Sequence, residues 1–227
     1  MIRSVIFDID GTLLDHGKAQ SHALEGFYRH LGLDDSGFDD FARLWKSIGK
    51  RYFDEYADGL VSLREQRILR IKRIFDHYGR DIGDDDAYGL FDTYLSFYKE
   101  HWALYPETRE VIDSLGQDYL LGVISNGDSN GQREKLARTG IADRFRSIVV
   151  SEDIGVAKPD PVIFLHALKD LGVGPAEAVF VGDDMKADVE GARRSGMIDV
   201  FLDRDGTGNG GASFIIRDLR ELMQILK

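Results

Sequence analysis

The sequence predicts an α/β fold: a doubly wound parallel sheet with a helical bundle inserted after its first strand. Three observations predict it. Strand-length apolar runs alternate with helical patterns after Pro106, the mark of βαβ units and a parallel sheet covered on both faces. One further run of this kind, Ser4-Val5-Ile6-Phe7, stands alone near the N-terminus and delivers Asp8 and Asp10 to a glycine turn. Between that run and the alternating region, from about Lys18 to Trp102, apolar residues recur at helical spacing and strands are absent.

The β-branched and aromatic run ending at Asp8 reads as a buried strand. Leu24, Phe27, Tyr28 and Leu31 then recur at helical spacing, as do Phe38, Phe41, Leu44, Trp45, Ile48, Tyr52 and Tyr56. A third set is Ile68, Leu69, Ile71, Ile74, Phe75 and Tyr78, and a fourth is Leu90, Phe91, Tyr94, Leu95, Tyr98 and Trp102. Beyond Pro106, strands are predicted at 119–124, 147–150, 178–181, 200–202 and 214–216. Helices are predicted at 132–139, at 161–171 with proline in the first turn, at 187–195 and at 219–226. Gly206-Thr207-Gly208-Asn209-Gly210-Gly211 reads as a loop. The organisation expected is a sheet domain of residues 1–16 and 104–227, with residues 17–103 as an inserted helical domain.

Composition narrows the function. The chain has 227 residues, 43% of them apolar, enough for a packed core. Its formal net charge of −11 argues against nucleic acid or an anionic membrane as partner. The absence of cysteine removes disulfides, thiolate catalysis and cysteine-ligated zinc. No run approaches membrane-spanning length, and the first apolar run is only a strand, so a cytoplasmic protein, monomer or homodimer, is expected.

In a doubly wound sheet, ligands bind outside the carboxyl ends of the strands. The predicted strand ends carry Asp8 and Asp10, then Ser125-Asn126-Gly127, then Lys158 beyond the third strand, then Asp183 and Asp184 with Asp188 one helical turn on. Two carboxylate clusters, a hydroxyl and a lysine on one edge suit phosphoryl chemistry. A phosphate dianion repels a carboxylate nucleophile unless a cation intervenes, and a hard divalent ion with oxygen ligands is the usual solution. Asp8 and Asp183 can supply its charged ligands. Ser125 and the backbone near Asn126 and Gly127 can hydrogen-bond the transferring oxygens, and Lys158 can neutralise charge on both phosphate and Asp8. Gly11 and Thr12 are counted with them as phosphate contacts.

These residues resemble the haloacid dehalogenase superfamily of hydrolases. Its four motifs are readable as Asp8-Ile9-Asp10-Gly11-Thr12-Leu13, Ser125-Asn126-Gly127, Lys158-Pro159, and Gly182-Asp183-Asp184 with Asp188. The resemblance implies a Rossmann-like core and a smaller helical cap, which the insertion matches. It implies that Asp8 is the nucleophile that forms an aspartyl-phosphate, and that Asp10 protonates the leaving oxygen, activates water and lends its backbone carbonyl to the metal. Asp8, Asp10 and Asp183 would then hold Mg²⁺, with Asp184 acting through water or in support and Asp188 orienting that shell or Lys158. Branches that cleave carbon–halogen bonds are not expected to keep an acid two residues after the nucleophile, or a metal site, so the chain looks like a phosphatase for a small phosphorylated metabolite. The wording around the motifs is similar both to nucleotidase-like members and to members acting on acylated sugar-acid phosphates. A nucleoside monophosphate or a similar small metabolite is the favoured substrate, as for a 5′-nucleotidase; other readings are a sugar- or sugar-acid-phosphate phosphatase, a phosphomutase, a 2-haloacid dehalogenase and a non-catalytic binding module.

Within the insertion, the aromatic residues read as the bundle's own core, with stacking on a base as the alternative. Arg64, Arg67, Arg70, Lys72 and Arg73 read as a solvated face pairing with acids such as Glu65, with a second anionic site as the alternative. His16 reads as a surface residue, and Asp15 as a hinge or turn.

Overall fold

A computed structural model describes residues 1–33, 37–206, 208 and 211–226. The chain divides into two compact units, Met1–Asp15 with Ala103–Lys227, and His16–Trp102. In chain order the elements are β1 (Ser4–Phe7), α1 (His16–His30), α2 (Phe38–Ala57), α3 (Leu63–His77), α4 (Asp84–Glu100), α5 (Thr108–Leu115), β2 (Leu120–Ser125), α6 (Ser129–Arg138), β3 (Ser147–Val150), α7 (Ser151–Ile154), α8 (Pro161–Leu171), β4 (Ala178–Gly182), α9 (Gly191–Arg194), β5 (Ile198–Leu202), β6 (Phe214–Ile216) and α10 (Leu222–Ile225).

The first unit is built on a six-stranded, all-parallel sheet in the order β3-β2-β1-β4-β5-β6. The chain winds one way from β1 through β2 to β3, then the other way from β4 to β6, so the topological switch lies between β1 and β4. All four residues of β1 are buried, as a central strand covered on both faces requires. Ile6, Ile124, Phe180 and Val149 meet Phe164, Leu168 and Leu171 of α8 in one core. The rings of Phe164 and Phe180 meet edge to face, 5.1 Å between centroids. Proline in its first turn and the Asp160 side chain, accepting from the Val162 N–H at 2.9 Å, start α8 where the sequence predicts it.

The second unit, α1 to α4, has its own core. Trp45 is fully enclosed, with ring centroids of Phe27, Tyr94 and Phe91 at 5.5, 4.4 and 6.2 Å. The aromatic residues of these helices therefore pack mainly on one another. A capping box starts α3: the Ser62 hydroxyl accepts from the Glu65 N–H at 3.1 Å, and Glu65 accepts from the Ser62 N–H at 2.7 Å.

Several expectations need correction. Glu65 serves that cap instead of pairing with the basic run. Arg64 and Lys72 pair with Asp85 and Asp84 on α4. Arg70 turns inward, its guanidinium 4.7 Å from the Trp45 ring and 5.1 Å from that of Phe91, so the run is not one solvated face. His16 is half-buried, with Nδ1 2.6 Å from the Tyr98 hydroxyl. The stretch predicted as a helix at 187–195 is a π-helical turn, Met185–Glu190, followed by α9. The final helix is a 3₁₀ turn plus the short α10. Thr207, Asn209 and Gly210 of the glycine-rich loop lie outside the described residues. No helix among the described residues is long and apolar enough to cross a membrane.

Candidate active site

The Asp8 N–H donates to the carbonyl of Val181 on β4 at 2.9 Å, so the sheet ladder sets the first acid just beyond β1. The chain then turns tightly: the Ile9 carbonyl accepts from Leu13 and Leu14, and the Gly11 N–H donates to the Leu14 carbonyl, each at 2.9 Å. Gly11 has φ +89°, and a Cβ there would lie 2.2 Å from Asp183 Oδ2. Only glycine lets this turn pass so close to the fourth motif. Beside it, the Thr12 hydroxyl donates to Asp183 Oδ1 at 3.0 Å. Thr12, predicted as a phosphate contact, thus orients Asp183, and the Gly11 N–H is engaged within its own turn.

Lys158 links the strand ends. Its Nζ lies 2.6 Å from Asp8 Oδ1, 2.7 Å from Asp188 Oδ1 and 3.0 Å from the Ile124 carbonyl, so all three ammonium hydrogens have acceptors. Asn126 holds the lysine's backbone from both sides, its Oδ1 accepting from the Lys158 N–H at 2.7 Å and its Nδ2 donating to the Lys158 carbonyl at 3.0 Å. Its side chain therefore braces the Lys158 loop. Gly127 donates its N–H to Ser151 Oγ at 2.9 Å, which engages the group the sequence had offered to phosphate. Asp184 caps the π-helical turn, accepting from the Lys186 and Ala187 N–H groups at 2.8 Å each, and donates its own N–H to Asp188 Oδ2 at 3.0 Å.

The electrostatics follow from three carboxylates facing one buried ammonium. Burial pushes the Asp8 carboxyl well above its usual range; Lys158 pulls it down, while Asp188 and Asp183 push it up. Burial opposes the charge of Lys158, but Asp188 and Asp8 more than offset this and hold its pKa above the usual lysine value. Asp183 is pushed up to about 7, first by the protein packed around it and then by Asp188. Asp183 is itself exposed to solvent, which weakens that effect.

One oxygen from each of Asp8, Asp183 and Asp188 lies within 4.8 Å of the others. The donor set is all oxygen and carries more negative charge than Lys158 neutralises, which suits a hard divalent cation. Both Asp188 oxygens already have donors, whereas Lys158 takes only Oδ1 of Asp8. Asp8 and Asp183 are therefore the carboxylates placed to hold an ion.

Asp10 points to a different set of partners, which the sequence reading missed. Lys135 on α6 reaches both of its oxygens, Oδ1 at 2.7 Å and Oδ2 at 2.5 Å. Gln132, one turn earlier, places Nε2 3.0 Å from each of Asp10 Oδ2, Ser125 Oγ and the Asn126 carbonyl, three acceptors sharing its two hydrogens. The available signal was a lysine and a glutamine on the same helix face as the buried Leu136. Arg204 was also missed. It donates to the Thr12 carbonyl at 2.9 Å and pairs with the buried Glu107 at 2.7 Å, fixing the turn from behind.

A sequence model of the haloacid dehalogenase-like hydrolases matches residues 2–196. The glyceraldehyde 3-phosphate phosphatase of Methanopyrus kandleri is 33% identical over 213 residues, covering 90% of this chain and 85% of that protein. The N-acylneuraminate-9-phosphatase of Rattus norvegicus is 25% identical over 242 residues, covering 100% of this chain and 94% of that protein. The crystal structure of the HAD-hydrolase YfnB from Bacillus subtilis, bound to magnesium, superposes with a TM-score of 0.87 at 26% identity, covering 99% of this chain and 98% of that one.

Proposed function

The chain belongs to the haloacid dehalogenase-like hydrolases and is a phosphatase for small phosphorylated metabolites; we propose that it is a magnesium-dependent phosphomonoesterase working through an aspartyl-phosphate on Asp8. The observation that carries this reading is Lys158 bridging Asp8 and Asp188 at the switch point of the sheet, with Asp183 alongside. Asp8 attacks phosphorus and the bond from phosphorus to the ester oxygen breaks. The leaving oxygen takes its proton from the Asp10 carboxyl. Water then attacks the acyl-phosphate, gives its proton to Asp10, and releases inorganic phosphate and Asp8.

Lys158 counters the charge that builds on the phosphoryl group, and the Ser125 hydroxyl, which accepts from Gln132, keeps its own hydrogen for a phosphoryl oxygen. Asp8 and Asp183, with the Asp10 backbone carbonyl, would hold Mg²⁺, whose charge lets a carboxylate approach a phosphate dianion. The magnesium-bound structural relative supports that choice of ion.

The substrate class we favour is a phosphorylated sugar or sugar acid. The relatives named for glyceraldehyde 3-phosphate and N-acylneuraminate 9-phosphate support it. Aromatic residues that pack on one another in α1 to α4 leave less reason to favour a nucleobase. We assign residues 17–103 as a cap that selects the leaving group. The two connections to it run side by side, with the Asp15 N–H donating to the Ala103 carbonyl at 3.0 Å and Leu14 bridging Leu104, as a hinged insertion needs.

The test is a panel of sugar phosphates, sugar-acid phosphates, nucleoside monophosphates and nitrophenyl phosphate, assayed with magnesium and after chelation. Phosphate release that needs magnesium and is fastest on the sugar derivatives is expected. Release that survives chelation would overturn the metal-dependent mechanism, and nucleoside monophosphates leading the panel would overturn the substrate class.

A further inference from the structure

We propose that Gln132 and Lys135 are positioning residues that set Asp10 for proton transfer and tie it to the phosphate-binding Ser125. The proposal rests on the phosphatase reading above. Both side chains lie on the inward face of α6 and are almost wholly buried, at 5% and 6% exposure. A buried ammonium is costly unless it is paired, and the acceptors found for this one include both oxygens of Asp10, on a loop 125 residues away in sequence. The helix itself is anchored at its start, where the Asp128 side chain accepts from the Gly131 N–H at 2.5 Å.

The chemistry of Gln132 fixes which way its amide points. Its Nε2 faces a carboxylate oxygen and a backbone carbonyl, neither of which can donate. Turning the amide over would set Oε1 against both, so the NH₂ must face Asp10. Two hydrogen-bonding consequences follow. Asp10 Oδ2 receives both Lys135 and Gln132, and Oδ1 receives Lys135 as well. The same amide nitrogen donates to Ser125 Oγ, which turns that hydroxyl's hydrogen away from Gln132. One side chain thus orients both the group that moves the proton and a group that binds the phosphoryl oxygens.

Rapid-quench kinetics separate this role from a structural one. Nitrophenolate leaves without needing a proton, while an alkoxide from glycerol phosphate needs one. The rate of Asp8 phosphorylation is measured from each ester for the wild type, Lys135→Met, Lys135→Arg and Gln132→Met. In Lys135→Met and Gln132→Met, the ratio of the glycerol phosphate rate to the nitrophenyl phosphate rate should fall by about 10- to 100-fold, the scale expected for a displaced reacting group. Lys135→Arg, which keeps a donor within reach of both oxygens, should recover much of it. Equal losses on both esters, or an unchanged ratio in both Met variants, would overturn the proposal. A wild type that shows no magnesium-dependent release of nitrophenolate would instead overturn the phosphatase reading, and this one with it.

Discussion

Gly182 leaves room for Asp188: a Cβ on Gly182 would sit 2.3 Å from Asp188 Cγ. The glycine closes β4, and its missing side chain is what lets the aspartate reach Lys158. Gly182→Ala should therefore push Asp188 off the ammonium, lower the melting temperature and cost about 1–3 kcal/mol, as overpacking does. Hydrolysis of nitrophenyl phosphate should fall at least about tenfold. Gly89→Ala, in the exposed middle of α4 with open space around its Cβ position, is the matched control and should stabilise by about 0.5–1 kcal/mol. Thermal melts of the two variants check both signs.

Asp8→Asn should abolish turnover, because an amide cannot form the acyl-phosphate. It should not unfold the protein. Burial already disfavours the Asp8 charge, so a neutral group of the same shape removes a penalty, and Lys158 retains Asp188. The metal-free variant should melt at or above the wild-type temperature near neutral pH. Turnover within a few-fold of wild type would sink the nucleophile assignment.

Asp183 gives the metal-free protein a pH-dependent stability. Its carboxyl is raised from 3.8 to about 7, so the folded state binds this proton more tightly than the unfolded chain does. The resulting stabilisation is complete below about pH 4 and is lost as the pH rises through about 7. The solvent exposure of Asp183 makes the effect smaller than the shift alone implies. Melting temperatures of the chelated protein should fall across that window more steeply for wild type than for Asp183→Asn. Added magnesium should raise the wild-type value at neutral pH by binding the ionised cluster, and should do much less for the variant. Identical pH profiles for the two proteins would refute this account.

Much of this arrangement was legible in the residues. The strands were, because a strand buried on both faces reads as an unbroken apolar run, and the residues that follow the strands are the ones the fold collects at one edge. The roles of individual side chains were less legible. Thr12 and the backbone near Asn126 and Gly127 were read as phosphate contacts; what the spacing did not show is that the Thr12 and Asn126 side chains brace Asp183 and the Lys158 backbone, and that Gly127 gives its N–H to Ser151. Bracing of that kind depends on loops brought together from distant parts of the chain, and spacing along one segment cannot show it. Gln132 and Lys135 were hidden for the same reason. Arg70 was misread because a charged side chain whose neighbours are aromatic rings leaves no mark in the pattern of charges.

The helical unit holds a core of its own. Trp45 is 1% exposed, its ring stacks on Phe91 and touches Phe27 and Tyr94, and the Arg70 guanidinium covers it. Trp45→Ala leaves a cavity that its aromatic neighbours on α1 and α4 cannot easily fill, and should cost about 3–5 kcal/mol. The two units have separate cores, so the loss should fall on His16–Trp102. Hydrogen exchange should accelerate in α1 to α4 and stay close to wild type in β1, β2 and β4. If residues 17–103 select the leaving group, the same variant should lose discrimination among sugar phosphates while hydrolysis of nitrophenyl phosphate falls far less. Acceleration of exchange in β1 and β4 to the same degree would show one cooperative unit instead. Unchanged discrimination in a variant whose helices have opened would remove the helical unit from substrate selection.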